Sequence, residues 1–549
     1  MQVHSLLASP ARYFHSVRHL KPVQVYWRGW LALARLRPFN ARLGEAPVFR
    51  APVLVEPVAK HQSWHRGTFR FLNHVARFDG GIDWNRADLS KLWLYNLHYF
   101  DWVNQPAVDP DAALALMTRW AVENPPGVGS GWEPYPLSLR IVNWLKFFAD
   151  HAKTGQAVPD GLTESLYLQA RYLARHLEYH LLGNHLFKNG VALLFAGACC
   201  EGPEAERWYH CGREILLEQL AEQILPDGGH FERSVMYHAI TLEDVLDCLN
   251  LLRSTGPGDD VLAVRLADSA WAMRQFLADV LHPDGEIPLF NDAAFGIAPK
   301  PVDLFAYAAR LGLGDVQTAR GALVAKPDFG LWVLRHRGAT LLVDAGAIGP
   351  DYLPGHAHCD TLSFELSLGS DRWFVNAGTF TYTGEDRARY RGTAAHNTLT
   401  IDGAEQHEIW ASFRVARRGY PERVELLDDG GIRAAHGGYR RLPGSPVHER
   451  ELRLLDHGIE VRDTVKGRGR HTAASFLHLH PDVAVERAGP RAVVCRLAAR
   501  QLRVLVDGDE AEVLPYDYAP EFGLKRPAQC LVGHRSGIAP FTLGMRFEF

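Results

Sequence analysis

Four short stretches of the chain combine residue types that acid–base catalysis or metal binding requires. They are GNHLFKNG (183–190), DGGHFERSVMYH (227–238), PGHAHCD (354–360) and YRGTAAHNT (390–398). They contain amides, imidazoles and a phenol, side chains that donate, accept or exchange protons in enzymes. Each stretch lies where a helical or strand pattern changes, so each also has a purely structural interpretation.

The first two stretches begin predicted helices. Asn184 suits a helix cap, which would need only its amide, and His185 adds an imidazole beside it. Tyr237 follows a Gly-Gly turn near the start of the next predicted helix, where a tyrosine is usually packed against its neighbours. Each of these residues, taken alone, fits either packing or catalysis.

The stretch that contains His356 and His358 is the most specific of the four. In extended backbone, alternate side chains point to the same side, so the two imidazoles would converge. This arrangement suits either a pair of metal ligands or one catalytic base next to one ligand. His396 in the fourth stretch and Asn376, which interrupts an apolar strand, are further polar candidates in the same half.

Helical periodicity dominates from about residue 85 to 320. A predicted helix of about five turns carries one apolar stripe, which consists of Leu162, Leu166, Ala170, Leu173, Leu177 and Leu181. The same period returns in 215–225, 235–252 and 261–281, and turn-rich segments such as 181–185, 225–230, 254–260 and 282–288 separate these runs. A series of helical hairpins of this kind can close into an (α/α) toroid.

Short alternating or apolar strands replace the helical pattern after about residue 325. They occupy 329–336, 339–346, 361–369, 372–378 and 396–403, and alternation continues through 451–467 and 492–508. The predicted fold class is therefore α+β multidomain, with an antiparallel β-sandwich after the toroid. The predicted units are an N-terminal extension packing on the toroid (1–84), the toroid (85–325) and the β-sandwich (326–549).

The charge balance excludes one class of partner. The 549 residues include 59 Lys plus Arg and 63 Asp plus Glu, a net charge of −4, which argues against a protein that binds nucleic acid by bulk electrostatics. An anionic ligand must then be held by a local cluster. The 14 Trp, 18 Tyr and 26 Phe suit either sugar-stacking platforms or a large aromatic core.

Cysteine usage and the N-terminus suggest where the protein works. The seven Cys have irregular spacing and no CxxC pair, which predicts reduced, buried thiols. The sequence shows neither an evident secretory signal nor an apolar run of transmembrane length. We therefore predict a cytoplasmic protein by default, and a periplasmic or secreted location stays open.

Taken in order, GNHLFKNG, DGGHFERSVMYH, GHAHCDTLSFEL and GTAAHNTLTIDG resemble motifs of the heparinase II/III and alginate lyase superfamily. The resemblance covers roughly residues 90 to 480. It implies a toroid followed by a β-sandwich, with an active site in the cleft between them.

The resemblance also implies roles for individual residues. Asn184 would hydrogen-bond the substrate carboxylate, with His185 beside it. Tyr237 would be the general acid, and also the base in a syn elimination if nearby positive charge lowers its pKa. His356 would be the second catalytic group, either a base or a carboxylate neutraliser, and no cofactor would be required for the chemistry.

A structural metal ion in the β domain is a further implication of the resemblance. His358 and His396 would be ligands of Zn²⁺ or Mn²⁺. Asn376 in NAGT occupies the position where the family typically has an Asp in a DPGT-like motif. A neutral amide is a weaker ligand for such an ion than a carboxylate. With Asn376 at this position, the metal site would be weak, altered or empty.

Five residues are candidates for contacts with neighbouring sugars. Their side chains suit stacking on pyranose rings or pairing with carboxylates, although core packing explains each one equally well. They are Trp132, Arg140, Tyr382, Tyr390 and Arg391.

The leading hypothesis is a polysaccharide lyase that cleaves a uronic-acid-containing polysaccharide by β-elimination. One alternative is a uronate C5-epimerase, because the same proton abstraction can end in reprotonation on the opposite face. The other is a non-catalytic carbohydrate-binding factor in exopolysaccharide biosynthesis. The expected partner in each case is an acidic polysaccharide or oligosaccharide, with no nucleic acid.

Overall fold

A computed structural model describes residues 10–34, 39–43, 48–255, 260–319, 321–422, 424–428 and 430–549. Parts of the predicted N-terminal extension (1–9, 35–38 and 44–47) and of the predicted turn at 254–260 lie outside these residues. None of the helices in the described ranges has both the length and the apolarity needed to cross a membrane.

Helices fill the first part of the described chain. They are α1 (Pro10–Val17), α2 (Pro22–Ala34), α3 (Lys91–Tyr99), α4 (Pro110–Glu123), α5 (Pro134–Ala152), α6 (Asp160–Leu173), α7 (Gly183–Cys199), α8 (Pro203–Gln223), α9 (Val235–Thr255), α10 (Asp260–Val280) and α11 (Pro301–Arg310). Helix α7 packs against α8, α5 and α9, and α9 packs against α10 and α11. These consecutive packed helices form the toroid.

Local sequence explains where several helices begin and end. Helix α4 starts with Pro110 after Asp109, whose carboxylate accepts hydrogen bonds from two backbone N–H groups of the first turn. Helix α9 begins at Val235, directly after the Gly-Gly turn and the HFERS segment. The predicted helix over 162–181 is shorter than expected, because the chain turns after Leu173 and the amides of Leu181 and Leu182 both donate to the carbonyl of Glu178.

Strands fill the second part, apart from three short strands before α3. They are β1 (Trp64–His65), β2 (Thr68–Phe71), β3 (His74–Arg77), β4 (Leu323–Lys326), β5 (Leu331–His336), β6 (Ala339–Asp344), β7 (Phe364–Leu368), β8 (Asp371–Phe374), β9 (Leu399–Ile401), β10 (Ile409–Trp410), β11 (Arg414–Val415), β12 (Glu425–Leu426), β13 (Ile432–His436), β14 (Val447–Leu455), β15 (Gly458–Lys466), β16 (Arg470–His478), β17 (Ala484–Gly489), β18 (Ala492–Leu497), β19 (Arg500–Asp507), β20 (Glu510–Tyr518), β21 (Arg526–Ile538) and β22 (Phe541–Glu548). Helix α12 (Gly384–Arg391) lies between β8 and β9.

Antiparallel pairing organises the β half into layers. The largest sheet has the order β12-β13-β14-β15-β22-β19-β18-β17, and a second sheet has the order β20-β21-β16-β9. A third sheet, β4-β5-β6-β7-β8, lies next to the toroid. Side chains from all three sheets, such as Leu341, Leu477 and Phe547, share one apolar core. This arrangement is a β-sandwich with an additional sheet at the interface.

The two halves are joined by a continuous core and by buried polar contacts. Phe329 packs its ring 4.7 Å from that of Phe276 of α10. His282, just after α10, contacts the Glu365 carboxylate of β7 at 2.8 Å. Because these contacts are buried, they fix the orientation of the loops from the β half over the helices.

Candidate active site

A cleft of about 1140 Å³ lies where the toroid meets the β half. Its walls include Asn184, His185 and Tyr237 from the helices and His356 and Tyr382 from the β half. All four predicted catalytic residues therefore face one opening, and each half of the molecule contributes to it.

Asn184 lies in the first turn of α7 and binds a carboxylate. Its backbone N–H donates to Glu232 Oε1 at 2.8 Å, and its side-chain amide donates to both carboxylate oxygens at 3.1 and 2.9 Å. Gly183 makes this approach feasible, because its φ is +58° and an added Cβ would lie 2.5 Å from Glu232 Oε1. The amide of Asn184 thus fixes a buried carboxylate at the edge of the cleft.

His356 is held between two carboxylates. Its Nδ1 lies 2.9 Å from Asp292 Oδ2, and its Nε2 lies 3.3 Å from Glu232 Oε2. A carboxylate at Nδ1 keeps the proton on that nitrogen, which directs Nε2 toward Glu232 and the cleft. The ring centroid is 3.9 Å from that of Tyr237.

Tyr237, in the first turn of α9, has its hydroxyl 2.9 Å from the hydroxyl of Tyr382. Burial raises the pKa of Tyr237 well above its usual value, and the neighbouring Tyr382, Tyr135 and Asp292 raise it further. The condition for a basic tyrosine, a pKa lowered by positive charge, is therefore not met by the surrounding residues. Tyr237 keeps its proton and is suited to be an acid.

His185, next to Asn184 at the start of α7, lies beside a carboxylate. Its Nδ1 lies 3.0 Å from Glu178 Oε1, and its ring packs 4.5 Å from that of Tyr135. Burial alone would lower the pKa of His185, but the charge of Glu178 and the hydrogen bond to it outweigh burial, so the pKa is raised. This imidazole therefore holds its proton to higher pH than an isolated histidine.

Asp292 connects His356 to the rest of the β half. Its carboxylate contacts His356 Nδ1, His358 Nε2 at 2.8 Å and both terminal nitrogens of Arg387. Burial would raise the pKa of Asp292, but the charge of Arg387 and the hydrogen bonds from the two histidines hold it well below its usual range. This carboxylate thus orients both imidazoles.

A second polar cluster lies behind this pair, away from the cleft. Ligand atoms of His358, Asp360 and His396 lie within 4.8 Å of one another, and all three residues are buried. His358 Nδ1 and His396 Nε2 have no hydrogen-bond partner. Two unpartnered buried nitrogens facing one carboxylate are a donor set that fits Zn²⁺ or Mn²⁺.

Asn376, the third predicted ligand, contacts Ser363 and His396. Its Oδ1 accepts hydrogen bonds from Ser363 Oγ at 2.8 Å and lies 3.1 Å from His396 Nδ1. With Nδ1 of His396 engaged in this way, Nε2 of the same ring is free to bind an ion. Asn376 therefore fixes the ring of His396, and Asp360 is the carboxylate that lies within 4.8 Å of both histidines of the cluster.

The five predicted sugar contacts do not lie together. Only Tyr382 lines the cleft. Trp132 is buried and stacks on Trp120, while Arg140 is fully buried and lies 3.7 Å from the ring of the same Trp120.

The other two residues are also buried in the protein. Tyr390 donates to the carbonyl of Asp517, and Arg391 donates to the carbonyls of Ala357, Ala411 and Ser412. Arg391 thus braces the loop that carries His356. Tyr390 and Arg391, like Trp132 and Arg140, support the fold around the cleft without facing it.

Two family models match the chain over most of its length. Residues 68–299 match the heparinase II/III N-terminus, and residues 318–539 match the heparinase II/III-like C-terminal domain. The chain belongs to the heparinase II/III family. The order of the two models agrees with the helical and β halves described above.

Relatives in this family have different descriptions. A heparin-sulfate lyase of Bacteroides thetaiotaomicron is 25% identical over 507 residues, covering 78% of this chain and 71% of the relative. The FtsZ-localized protein C of Caulobacter vibrioides is 26% identical over 430 residues, covering 75% of this chain and 69% of the relative. The chain spans about half the length of two other curated relatives, 49% and 46%.

A solved structure of heparinase III superposes on this heparinase II/III family member with a TM-score of 0.71. The match covers 98% of this chain and 93% of the other, at 18% identity. This similarity confirms the predicted fold class, a helical toroid followed by an antiparallel β-sandwich.

Three functional candidates in this family member were not found from the sequence alone. Glu232 lies inside the second motif, five residues before Tyr237, but was not assigned a role. Asp292 and Asp360 follow or interrupt apolar segments. A carboxylate in an apolar segment must be paired when it is buried. This position in the sequence is the feature that could have identified both residues.

Proposed function

We propose that the protein is a polysaccharide lyase that cleaves a uronic-acid-containing polysaccharide by β-elimination. The observation that carries the proposal is the meeting of Tyr237 from the helical half with His356 from the β half in one cleft, with ring centroids 3.9 Å apart. The relative described as a heparin-sulfate lyase supports the same reaction class.

The first requirement of the reaction is stabilisation of charge. Removing the C5 proton of a uronate places additional negative charge on its carboxyl group, and donors held there stabilise the transition state more than the ground state. We assign this task to His185, whose pKa is raised, and to Asn184. The Asn184 amide donates to both oxygens of Glu232, and the substrate carboxylate would take over one of these hydrogen bonds.

His356 is the proposed base. Its Nδ1 is fixed by Asp292, so Nε2 accepts the C5 proton, and Glu232 at 3.3 Å stabilises the imidazolium that forms. The electron pair of the C5–H bond forms the C4=C5 double bond as the C4–O4 bond breaks. Tyr237, whose raised pKa keeps the hydroxyl protonated before the reaction, donates this proton to the departing O4.

The charges of the cleft favour a substrate with few sulfates. Six Lys and Arg side chains line it, and five of them are paired with carboxylates: Lys60 with Glu243, Lys91 with Glu133, Lys146 with Asp247, Lys188 with Asp244 and Lys300 with Glu286. A sulfate needs a cation that is not already neutralised. We therefore propose that the polymer carries its charge mainly as uronate carboxylates.

A panel of polysaccharides tests the reaction and the substrate together. The purified protein is incubated with uronans that lack sulfate and with sulfated polymers of matched length, and ultraviolet absorbance reports the unsaturated product. We expect cleavage of at least one unsulfated uronan, and a kcat/KM for its sulfated counterpart that is lower by about tenfold or more.

The outcomes of the panel separate the alternatives. Deuterium incorporated at C5 from D₂O without chain cleavage would assign the protein as an epimerase instead. Preference for the sulfated polymers would contradict the substrate assignment but leave the lyase proposal standing. If no uronan yields either the unsaturated product or deuterium at C5, the catalytic proposal is contradicted.

We propose that His358, Asp360 and His396 hold a divalent cation and that Asn376 orients His396. Such an ion, when bound, would crosslink the loop after His356 to the segment before β9. The chain's own residues perform the acid–base steps without it.

Elemental analysis of the purified protein tests the metal proposal. We expect about one Zn²⁺ or Mn²⁺ per chain, loss of the ion in Asp360→Asn, and retention in Asn376→Asp, which adds a second carboxylate. A lower melting temperature on chelation in the wild type but not in Asp360→Asn would agree. A metal-free wild type purified with both ions supplied would contradict the proposal.

A further inference from the structure

The N-terminal hairpin, formed by α1 and α2 (residues 10–34), has apolar side chains on its outer as well as its inner face. On the inner side of α2, Trp27 stacks 4.8 Å from Tyr179, and Leu31 is buried. On the outer side, Tyr26, Trp30 and Leu33 follow one another at helical spacing and are exposed. A helix that is apolar on both faces normally has a second partner.

Exposure of large apolar side chains is concentrated in this hairpin. Among the described residues, 24 large hydrophobic side chains are exposed, and 7 of them belong to these 25 residues. Within the hairpin, Phe14 and Tyr26 are the most exposed, at 64% and 65%. The hairpin members are Tyr13, Phe14, Val17, Val25, Tyr26, Trp30 and Leu33. Such a concentration of exposed apolar side chains is typical of a docking surface.

The charge of the same segment has a single sign. The chain contains no Asp or Glu before Glu45, whereas seven Lys and Arg occur in that stretch. Arg18 and Arg28 are exposed within the hairpin. The whole protein carries a net charge of −4, so this positive segment is a local feature. Tryptophan, tyrosine and arginine together are the side chains that favour the headgroup region of a bilayer.

Contacts with both halves hold the hairpin in place. Trp410 of β10 donates to Ser16 Oγ at 3.0 Å, and Arg12 pairs with Glu408 at 2.9 Å. Gln24 donates to the carbonyls of Leu181 and Tyr352, and Lys21 pairs with Glu222. The exposed face is therefore presented by a fixed element of the fold.

We propose that the outer face of the N-terminal hairpin docks on an anionic lipid bilayer. The aromatic side chains enter the headgroup region, and the exposed Arg18 and Arg28 strengthen the attraction of the hairpin to the anionic surface. This is peripheral binding by two amphipathic helices and does not depend on the lyase proposal.

Flotation with lipid vesicles tests the proposal. The full chain is mixed with vesicles of phosphatidylcholine containing 30% phosphatidylglycerol, and with phosphatidylcholine alone, at low and high salt. We expect binding to the anionic vesicles that weakens with salt. The double variant Phe14→Ser/Tyr26→Ser should lower the partition coefficient by about tenfold or more, and Arg28→Glu by about tenfold.

Two matched variants control for apolarity and charge elsewhere. Trp271 of α10 is 59% exposed, and Arg470 is exposed at the start of β16. Trp271→Ser and Arg470→Glu should bind vesicles as the wild type does. Unchanged far-ultraviolet circular dichroism and melting temperature establish that each variant is folded. If the double variant does not fold, Arg28→Glu alone decides the test.

Three results would overturn the proposal. These are no binding of the wild type to anionic vesicles, equal loss in the control variants, and a wild-type dimer that the hairpin substitutions dissociate without any lipid binding. The last result would assign this face to contact between two copies of the chain.

Discussion

Tyr237→Phe is expected to lower kcat for uronan cleavage by roughly two orders of magnitude or more. The substitution removes only the hydroxyl that would protonate the departing O4. The ring remains to pack 3.9 Å from His356, so the fold of the site is preserved. Initial rates from ultraviolet absorbance, at saturating substrate, measure the effect.

Tyr382→Phe is the matched control, because its hydroxyl lies 2.9 Å from that of Tyr237 in the same cleft. We expect a decrease in kcat of less than about tenfold there, since Tyr382 positions the acid but does not transfer the proton. A kcat for Tyr237→Phe equal to that of the wild type would remove the phenol from the mechanism. An equal loss in both variants would show that both hydroxyls are required and that either tyrosine could be the acid.

His356→Ala is expected to lower kcat by a similar factor, again about two orders of magnitude or more. This variant lacks the base and leaves Glu232 and Asp292 without their shared partner. Because the truncation leaves space in the cleft, added imidazole should recover part of the rate. Recovery that rises with the concentration of neutral imidazole would identify the lost group as a base.

His480→Ala is the control, because it removes a histidine that lies outside the cleft. The side chain of His480 is 17% exposed. It should retain the wild-type kcat. Wild-type turnover in His356→Ala would contradict the proposed base. Loss without any recovery by imidazole, in a folded variant, would indicate that His356 neutralises the substrate carboxylate and does not remove the proton.

Sequence periodicity predicted those parts of the fold whose burial repeats regularly. Helix α9 begins at Val235 and β5 and β6 occupy the predicted segments, because one face or both faces of each element are buried along its whole length. The helix predicted over 162–181 was too long, because the apolar stripe continues into a turn. Leu177 is buried there without being helical.

The central residues of the candidate site were predictable because they belong to ordered motifs. Their partners were not, because these contacts join distant parts of the chain. Asp292 contacts His356 across 64 residues, and Glu178 contacts His185 from a turn that periodicity assigned to a helix. Periodicity describes single elements and gives no information about which loops meet.

Residue type alone predicted sugar contacts poorly. Trp132 and Arg140 lie beside a Gly-rich break in the sequence, where residues of a binding loop would be expected. Both are nevertheless buried against Trp120. Because the guanidinium of Arg140 is fully enclosed, its pKa is lowered well below the usual value. Aromatic and basic residues near a loop fit a core and a cleft equally well, and only coordinates distinguish the two.

The central claim is that Asn184, Tyr237 and His356 act together on one uronate residue. The most direct measurement is a crystal structure of Tyr237→Phe with a bound unsulfated uronan oligosaccharide. We predict one sugar carboxylate within hydrogen-bonding distance of Asn184 and His185, its C5 next to His356 Nε2, and its O4 toward residue 237. An oligosaccharide bound in the cleft with its carboxylates away from Asn184 and its C5 remote from His356 would contradict the account.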